Sequence, residues 1–539
     1  MMKDRFIKFL LLFVTILSFL YACDKPVVEE ERKPSDLVVS VVSACQAGKI
    51  ISSVTYGTNE VSLTFDDGSV LVIPQKDMRI ADCRNSKPAA VGVPPQTTTW
   101  CVSGLITGVP YTPERSDIES LVVYAYTDGY TLYIHLSNGS VIYFKSRIDE
   151  LRKRRSLPVV RITTTAPVVS KEEYVSGKIE ITDTKGIYGS SEVFSAPMKI
   201  RGRGNSTWGM PKKPYKVKLE SKASILGMPA DKEWALLANY ADKTLLRNVT
   251  AMEISRICGF KWTPRMVSVE VYMNGKYEGV YTFCEHKKVS SDSVNINVAG
   301  DGDLEGDYYL ELEQNMDETV CFWTGMGAPV MFQEPSEPNK AQQDYVKKYF
   351  SDFEDALRRG DGSYKDYIDE KSFIDNYIIQ ELTKNIDGNL RKSTFLTKER
   401  DGKLEMYHVW DFDLTMGNCN YFASDVPGLD NSYTGFFIRY YSLHGKNTGW
   451  YYHLFKHKDF EEKVRARWKE LYPQLSQIPQ FISEQAFILE EAQKRNFERW
   501  NILNQWVWPN EKVLGTYEAE VGYLTDFYSS RLEWLNGRI

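Results

Sequence analysis

Two acidic motifs near the middle of the chain contain the residue types that phosphoryl transfer requires. The first motif, residues 385–395, contains Asp387, and the second, residues 408–413, contains Asp411 and Asp413. Both lie in segments that are otherwise apolar, and carboxylates are rarely buried unless they are paired or bind a metal. Only a hairpin-length spacer separates the motifs. We therefore expect them to converge on one cation, an arrangement that suits metal-assisted phosphoryl transfer.

These carboxylates also fit other functions. Asp411 and Asp413 stand two residues apart on a predicted strand end, so their side chains project from the same face. In a kinase-like site one carboxylate orients the substrate hydroxyl and another holds magnesium. Structural salt bridges would use the same residues, and a glycosyltransferase with an Asp-x-Asp motif is another metal-dependent candidate.

A basic segment that contains glycine, residues 201–219, is a candidate anion-binding hairpin. Its glycines permit close backbone approach, and Arg203, Lys213 and Lys216 supply positive charge. Alternating apolar residues from 215 to 219 predict a strand with Lys216 on the opposite face. A solvated basic strand after a tight turn explains the composition equally well.

Glu285 ends an apolar predicted strand that follows an Asn274-Gly275 hairpin motif. A glutamate at a strand end is usually just exposed to solvent. As the partner of a lysine in a cleft, it would hold that side chain over phosphate groups.

The elements that must position these residues change along the chain. From about residue 157 to 317, short predicted strands alternate with turns, and one helix is predicted from Lys243, capped by Asp242, to Gly259. Beyond residue 339 the pattern favours amphipathic helices. These are predicted over residues 341–359, 371–384, 460–475, 484–500 and 517–535. The sequence therefore predicts an α+β fold, with a β-rich first half and a helix-rich second half.

The N-terminus predicts export and a lipid anchor. Residues 1–22 combine a basic head with a short apolar run, as a signal peptide does. Cys23 follows Leu-Tyr-Ala directly, which resembles the bacterial lipobox, whose cysteine is lipidated. An ordinary signal peptide with an incidental cysteine is the alternative. Residues 23–37 are rich in charge and proline and predict a solvated tether.

Residues 38–146 predict small all-β modules with a weak internal repeat. Residues 61–73 and 132–144 each place alternating apolar residues around Asp-Gly or Asn-Gly, the strongest short hairpin signal. This segment contains no motif for catalysis, so we expect a spacer or adhesive role.

Composition excludes some functions. The 539 residues carry a formal net charge of −6, which argues against nucleic acid as a partner. The cysteines and histidines show no zinc-ligand spacing.

Together, these motifs resemble the CotH (spore coat protein H) kinase family, which are secreted or surface-exposed atypical protein kinases. The resemblance runs from about residue 157 to 480, and the matching stretches are residues 201–219, 234–248, 274–285, 385–388 and 410–413. It implies an atypical protein-kinase-like domain over residues 157–539 that ends in helices. It also implies ATP, a divalent metal (Mg or Mn), and transfer of phosphate to Ser or Thr of a protein substrate.

The resemblance also implies a role for each candidate residue. Asp387 would be the catalytic aspartate, and Asp411, assisted by Asp413, would bind the metal. Arg203 would contribute to ATP binding, Lys213 would be the phosphate-binding lysine and Glu285 its acidic partner, and Lys216 could replace Lys213 in that role.

The chain departs from the kinase pattern at Lys392. A kinase catalytic loop has a metal-binding Asn five residues after its aspartate, and Lys392 stands there. A site with one metal, substitution by Asn389, and loss of kinase activity are all compatible with this change.

The lipobox, the run Glu29-Glu30-Glu31 and the β modules resemble surface lipoproteins of Bacteroidetes. We therefore expect a protein that is anchored by lipid to the bacterial membrane, at the outer membrane or cell surface. The alternative function is a non-catalytic binding or adhesion lipoprotein built on a kinase-like scaffold.

Overall fold

The computed structural model describes residues 151–388, 390–421, 430–439 and 449–539 in full. Between residues 51 and 150 it describes the backbone of the strands and the start of one helix. The chain divides into two compact units between residues 153 and 154. The predicted signal peptide, Cys23 and the tether lie outside the described residues.

The first unit contains two antiparallel sheets, with strand orders β1-β2-β3 and β6-β5-β4-β7-β8-β9. The strands are β1 (Ile51–Tyr56), β2 (Glu60–Phe65), β3 (Val70–Pro74), β4 (Arg79–Asp82), β5 (Thr99–Val102), β6 (Leu105–Pro110), β7 (Ser120–Thr127), β8 (Thr131–Leu136) and β9 (Val141–Lys145). The pairs β2·β3 and β8·β9 are antiparallel, as the Asp-Gly and Asn-Gly motifs predict. Helix α1 (Ile148–Arg154) follows.

A closed barrel begins the second unit, with strand order β10-β11-β12-β13-β14-β16-β15. Its strands are β10 (Val159–Thr164), β11 (Val175–Thr182), β12 (Phe194–Gly202), β13 (Tyr215–Ile225), β14 (Met228–Leu237), β15 (Met266–Met273) and β16 (Lys276–Glu285). Neighbours are antiparallel except β10 and β15, whose parallel pairing closes the barrel. Helix α2 (Arg247–Cys258) connects β14 to β15.

Alternation along the barrel strands separates an apolar interior from the outer face. Val217, Trp234 and Phe283 are fully buried in the interior, and the last two rings stack at 5.2 Å. Each such side chain contributes about 1.5–3 kcal/mol through burial. The neighbouring residues, including Lys216, therefore project outward, where charged groups can serve a site.

A five-stranded antiparallel sheet packs against the outer face of the barrel. Its order is β18-β19-β17-β20-β21, formed by β17 (Tyr308–Leu312), β18 (Cys321–Trp323), β19 (Pro329–Glu334), β20 (Thr394–Lys398) and β21 (Leu404–Val409). Buried Cys284 of the barrel shares one apolar cluster with Tyr309, Phe395 and Trp410 of the sheet side. This cluster holds the end of β21, where the second acidic motif begins, against the barrel.

Helices predominate in the described chain after residue 339. They are α3 (Lys340–Arg359), α4 (Glu370–Thr383), α5 (Trp450–Leu454), α6 (Lys458–Leu475), α7 (Ile478–Arg499) and α8 (Tyr517–Asn536). The predicted change from a β-rich first half to a helical C-terminal part is confirmed. None of the described helices combines the length and hydrophobicity that a membrane span requires.

Candidate functional site

The second acidic motif forms a loop directly after β21, which ends at Val409. Trp410 is buried, Asp411 is exposed and Asp413 is half-buried. Asp411 has a φ of +66°, in the left-handed region that aspartate adopts more readily than most residues. The alternation expected at a strand end therefore does not apply. A left-handed turn after the strand instead brings the carboxyl group of Asp411 close enough to raise the pKa of Asp413.

The first turn of α2 fixes the backbone of this acidic loop. Arg247 Nε donates to the carbonyl of Thr415 at 2.9 Å, and its Nη2 donates to the carbonyl of Met416 at 3.3 Å. The Phe412 N–H donates to Asn248 Oδ1 at 2.8 Å. Arg247 and Asn248 are both buried, so the position of the carboxylates depends on this helix terminus.

Asp242 holds Arg247 in place from the interior. Its fully buried carboxylate accepts hydrogen bonds from Arg247 Nη1 at 2.7 Å, from the Arg247 N–H at 2.8 Å and from Thr244 Oγ1 at 2.6 Å. The predicted helix start at Lys243 was wrong, because α2 begins at Arg247. Asp242 still satisfies an N–H of the first helical turn, but its main role is that of a buried counter-ion.

The carboxylates of this region act on one another electrostatically. Burial raises the pKa of Asp413 well above its usual range, and the charges of Asp411, Asp242 and Asp387 raise it further. We call these four residues the acidic cluster. A bound cation would offset their mutual repulsion.

The donor set of the acidic cluster fits magnesium or manganese. Among the described residues, no group of three or more Asp, Glu, His or Cys side chains is placed so that it could hold a metal ion by itself. Magnesium is usually held by one or two carboxylates together with water and substrate phosphate. Asp411, which is exposed, and Asp413, which is half-buried, match that open arrangement.

The first acidic motif forms the loop between α4 and β20. Lys384 ends α4 in a left-handed conformation, with a φ of +49°. Its ammonium donates to the carbonyls of Ser432 and Thr434 at 2.6 and 2.7 Å. The N–H of Asp387 donates to Asn385 Oδ1 at 3.2 Å. The loop is thus anchored at its start, close enough for Asp387 to act on Asp413 electrostatically. Asn389 lies outside the described residues.

Gly388 follows Asp387 because a side chain would not fit there. A Cβ at this position would lie 2.0 Å from Gln380 Oε1 and 2.8 Å from Asn385 Nδ2. Gln380 is itself buried and has little room to move. The Asp-Gly pair in this motif therefore has a packing reason that the sequence alone does not reveal.

The basic hairpin brings Arg203 to the acidic loop. The Arg203 N–H donates to the carbonyl of Pro214 at 3.2 Å, which closes the hairpin. Its guanidinium lies 5.7 Å from the ring centre of Trp410, the residue before Asp411. Gly202 permits this geometry, since a Cβ there would lie 2.4 Å from the ring of Trp208.

Lys216 belongs to the same basic group as Arg203. Its Nζ lies 3.1 Å from Glu233. Although burial opposes the shift, the Lys216 ammonium lowers the pKa of Glu233 to about 2. Burial, followed by the charges of Lys216 and Arg203, lowers the pKa of His286 to about 3. Two cations thus act on the same half-buried imidazole.

Lys213 and Glu285 have other partners. Lys213 Nζ donates to the carbonyl of Trp208 at 2.7 Å, within the hairpin itself. Glu285 accepts from the backbone N–H and from Nη1 of Arg265, both at 2.7 Å. Burial raises the pKa of Glu285, although Arg265 opposes this. The structure therefore does not join Lys213 to Glu285, and among the described residues it pairs Lys216 with Glu233 and Lys287 with Glu311.

Lys212, which the motif analysis did not single out, anchors the hairpin to the C-terminal helices. It is 1% exposed, donates to Asn496 Oδ1 of α7 at 2.9 Å and to the carbonyl of Val280, and lies over the ring of Tyr281. Burial lowers its pKa well below the usual range. Lys212 and Lys213 are adjacent in the sequence, and nothing in the sequence indicates that their environments differ.

The segment between α7 and α8 forms one side of the site. Asn510 Nδ2 donates to Asn418 Oδ1 at 2.8 Å, and Asn418 Nδ2 donates to the carbonyl of Asp413 at 2.8 Å. Trp508 stacks on Tyr421 at 6.0 Å with an interplanar angle of 7°. Burial and then the charge of Asp387 raise the pKa of Tyr421. An exposed aromatic surface therefore borders the acidic cluster.

Comparison with known proteins places this site in a family. No curated protein is similar enough in sequence to the chain to serve as a relative. The family model described as CotH kinase protein matches residues 200–535, which include the basic hairpin, both acidic motifs and helices α2 to α8. The chain belongs to the CotH kinase protein family.

Proposed function

We propose that this chain is an extracytoplasmic, lipid-anchored atypical protein kinase, which transfers the γ-phosphate of ATP to Ser or Thr of a protein substrate. The observation that carries the proposal is the electrostatic interaction of Asp387 and Asp411 with Asp413, in a chain of the CotH kinase family. Phosphoryl transfer depends chiefly on positioning and on stabilisation of charge, and both can be assigned to residues of this site.

Each charged group has a role in the proposed reaction. Asp387 orients the acceptor hydroxyl and accepts its proton as the oxygen attacks the γ-phosphorus. The bond from the γ-phosphorus to the β–γ bridging oxygen breaks in the same step, and ADP leaves with the electron pair of that bond. Asp411 and Asp413 hold magnesium or manganese, which neutralises phosphate charge when bound. Arg203 and Lys216 bind the phosphate oxygens. Lys216 takes the place expected for Lys213, because its ammonium lies beside Arg203 and Glu233.

The N-terminal residues support the proposed location. Residues 1–22 would direct export, and Cys23 would carry the lipid that anchors the protein to the bacterial membrane, with the kinase domain on the outer surface. Mass spectrometry of the membrane-extracted protein tests this part directly. A lipid-modified N-terminal Cys23 is expected, and an unmodified N-terminus at another residue would contradict it.

Binding of a non-hydrolysable ATP analogue tests the nucleotide site. With Mn²⁺ present, we expect Asp411→Asn to weaken binding by about tenfold or more, since a charge-assisted ligand is lost. Asp344→Asn is the matched control, because Asp344 lies on α3 with a side chain that is 55% exposed. Without divalent metal, wild type and Asp411→Asn should bind equally weakly. Wild-type protein that does not bind the analogue would refute the proposal.

One observation favours the second candidate function, a non-catalytic surface-binding protein. Trp506 is 57% and Trp508 43% exposed, and large exposed aromatic side chains commonly mark a contact surface. The same surface would also suit a kinase that holds its protein substrate near Asp387. Analogue binding that depends on Asp411 distinguishes the two functions, because an adhesive protein has no need for it.

A further inference from the structure

Lys392 occupies a position that has a defined role in kinases. Two metal ions usually serve a kinase site, and an Asn in the catalytic loop holds the second. A lysine cannot replace that ligand, because an ammonium has three donors and no acceptor. It also repels a divalent cation at short distance. The residue at 392 therefore changes how charge is supplied to the site.

Both ends of Lys392 contact the proposed catalytic aspartate. Its backbone N–H donates to the carbonyl of Asp387 at 3.0 Å. Its Nζ lies 3.9 Å from Asp387 Oδ2, with the two side chains 30% and 20% exposed. The ammonium is thus directed into the site while it remains accessible to a ligand.

The loop that carries Lys392 is fixed to the end of β17. The Gln314 N–H donates to the carbonyl of Arg391 at 2.7 Å, and Arg391 Nε donates to Gln314 Oε1 at 3.3 Å. The residue before Gln314 is Glu313, which is buried. Burial raises the pKa of Glu313 to about 7, while the charge of Lys392 opposes that rise. The ammonium therefore interacts electrostatically with two carboxyl groups from separate segments, Asp387 and Glu313.

We propose that the Lys392 ammonium replaces the second divalent metal, so that the site binds nucleotide with a single metal ion held by Asp411 and Asp413. This inference rests on the proposed function. In the complex, the ammonium contributes hydrogen bonds to the phosphate oxygens and keeps Asp387 oriented towards the acceptor hydroxyl. Its positive charge is supplied by the chain itself, so the site needs less metal to bind nucleotide.

The number of bound Mn²⁺ ions tests this inference without reference to catalytic activity. Purified full-length protein is titrated with Mn²⁺ in the presence of the non-hydrolysable ATP analogue, and electron paramagnetic resonance measures free Mn²⁺. We expect one tight Mn²⁺ for wild type and two for Lys392→Asn. Lys392→Met should retain one Mn²⁺ but bind the analogue about tenfold more weakly, because a charged donor is lost. Lys348→Asn, at a lysine of α3 that is 73% exposed, should behave as wild type.

The outcomes separate this inference from the function on which it rests. Two Mn²⁺ ions in wild type, one in Lys392→Asn, or unchanged analogue affinity in Lys392→Met would each overturn the inference while the kinase site stands. Failure of every variant, wild type included, to bind the analogue would overturn the proposed function and the inference with it. Circular dichroism and urea unfolding of each variant ensure that a loss of binding is not a loss of folding.

Discussion

Replacement of Arg247 by Met should destabilise the protein and release the acidic loop. Arg247 is 1% exposed and its partner Asp242 is fully buried. The substitution preserves most of the side-chain volume but removes the charge. Asp242 then loses its charged partner, and the carbonyls of Thr415 and Met416 lose their donors.

The magnitude follows from the burial of this ion pair. Removal of one member of a buried pair costs about 3–5 kcal/mol, because it leaves an uncompensated charge. The same change at an exposed pair costs about 1 kcal/mol or less. Arg256 provides that comparison on the same helix, since it is 45% exposed and pairs with Glu253. Arg247→Met should therefore lower the free energy of unfolding by several kcal/mol, and Arg256→Met should hardly change it.

Urea unfolding at neutral pH measures the loss of stability in each variant. Analogue binding should also weaken in Arg247→Met, since the loop that carries Asp411 loses two of its anchors. A loss below about 1 kcal/mol, equal to that of Arg256→Met, would refute the role assigned to the buried pair.

Three further predictions concern the packing, the pH response and the cations. Gly388→Ala should weaken analogue binding, because its Cβ would lie 2.0 Å from a buried glutamine oxygen, whereas Gly522→Ala, in open space on α8, should leave binding intact. Burial lowers the pKa of His408 to about 3, so the imidazole takes up a proton in the unfolded chain at a higher pH than in the folded protein. The free energy of unfolding of wild type should therefore fall by up to about 5 kcal/mol relative to that of His408→Phe as the pH falls from neutral to about 3. Lys216→Met should reduce analogue affinity about tenfold, and Lys213→Met should have little effect, as calorimetry would show.

Each of these predictions has a result that contradicts it. Equal binding by Gly388→Ala and Gly522→Ala would mean that the loop tolerates the added methyl group. A free-energy difference between wild type and His408→Phe that stays constant across the acid range would exclude the buried imidazole as the titrating group. A larger effect at Lys213 than at Lys216 would restore Lys213 as the phosphate-binding lysine.

Local patterns predicted the helices of the second half well. The amphipathic pattern over residues 341–359 corresponds to α3, whose N-cap Asn339 forms a capping box with Gln342. The prediction was less accurate where long-range contacts decide the boundary. Helix α2 starts one turn later than predicted, because the carboxylate of Asp242 pairs with buried Arg247 and does not cap a helix at residue 243. Helix α7 begins at Ile478 rather than at residue 484, with a proline in its first turn.

Pairings between distant strands could not be read from the sequence. The parallel contact of β10 with β15 closes the barrel across about a hundred residues, and no local motif specifies it. The same limit applies to Lys216, whose partner Glu233 is set by the register of β13 against β14. The left-handed backbone of Asp411 is a third example, since alternation predicted a regular strand end. In each case tertiary contacts outweighed the local pattern.

Transfer of labelled phosphate from ATP tests the central claim most directly. Purified protein is incubated with γ-labelled ATP, Mn²⁺ or Mg²⁺ and generic protein acceptors. Wild type and the control variant Asp344→Asn should label the acceptor or the protein itself on Ser or Thr, while Asp387→Asn and Asp411→Asn should not. Wild-type labelling no greater than that of Asp411→Asn would contradict the proposed kinase activity.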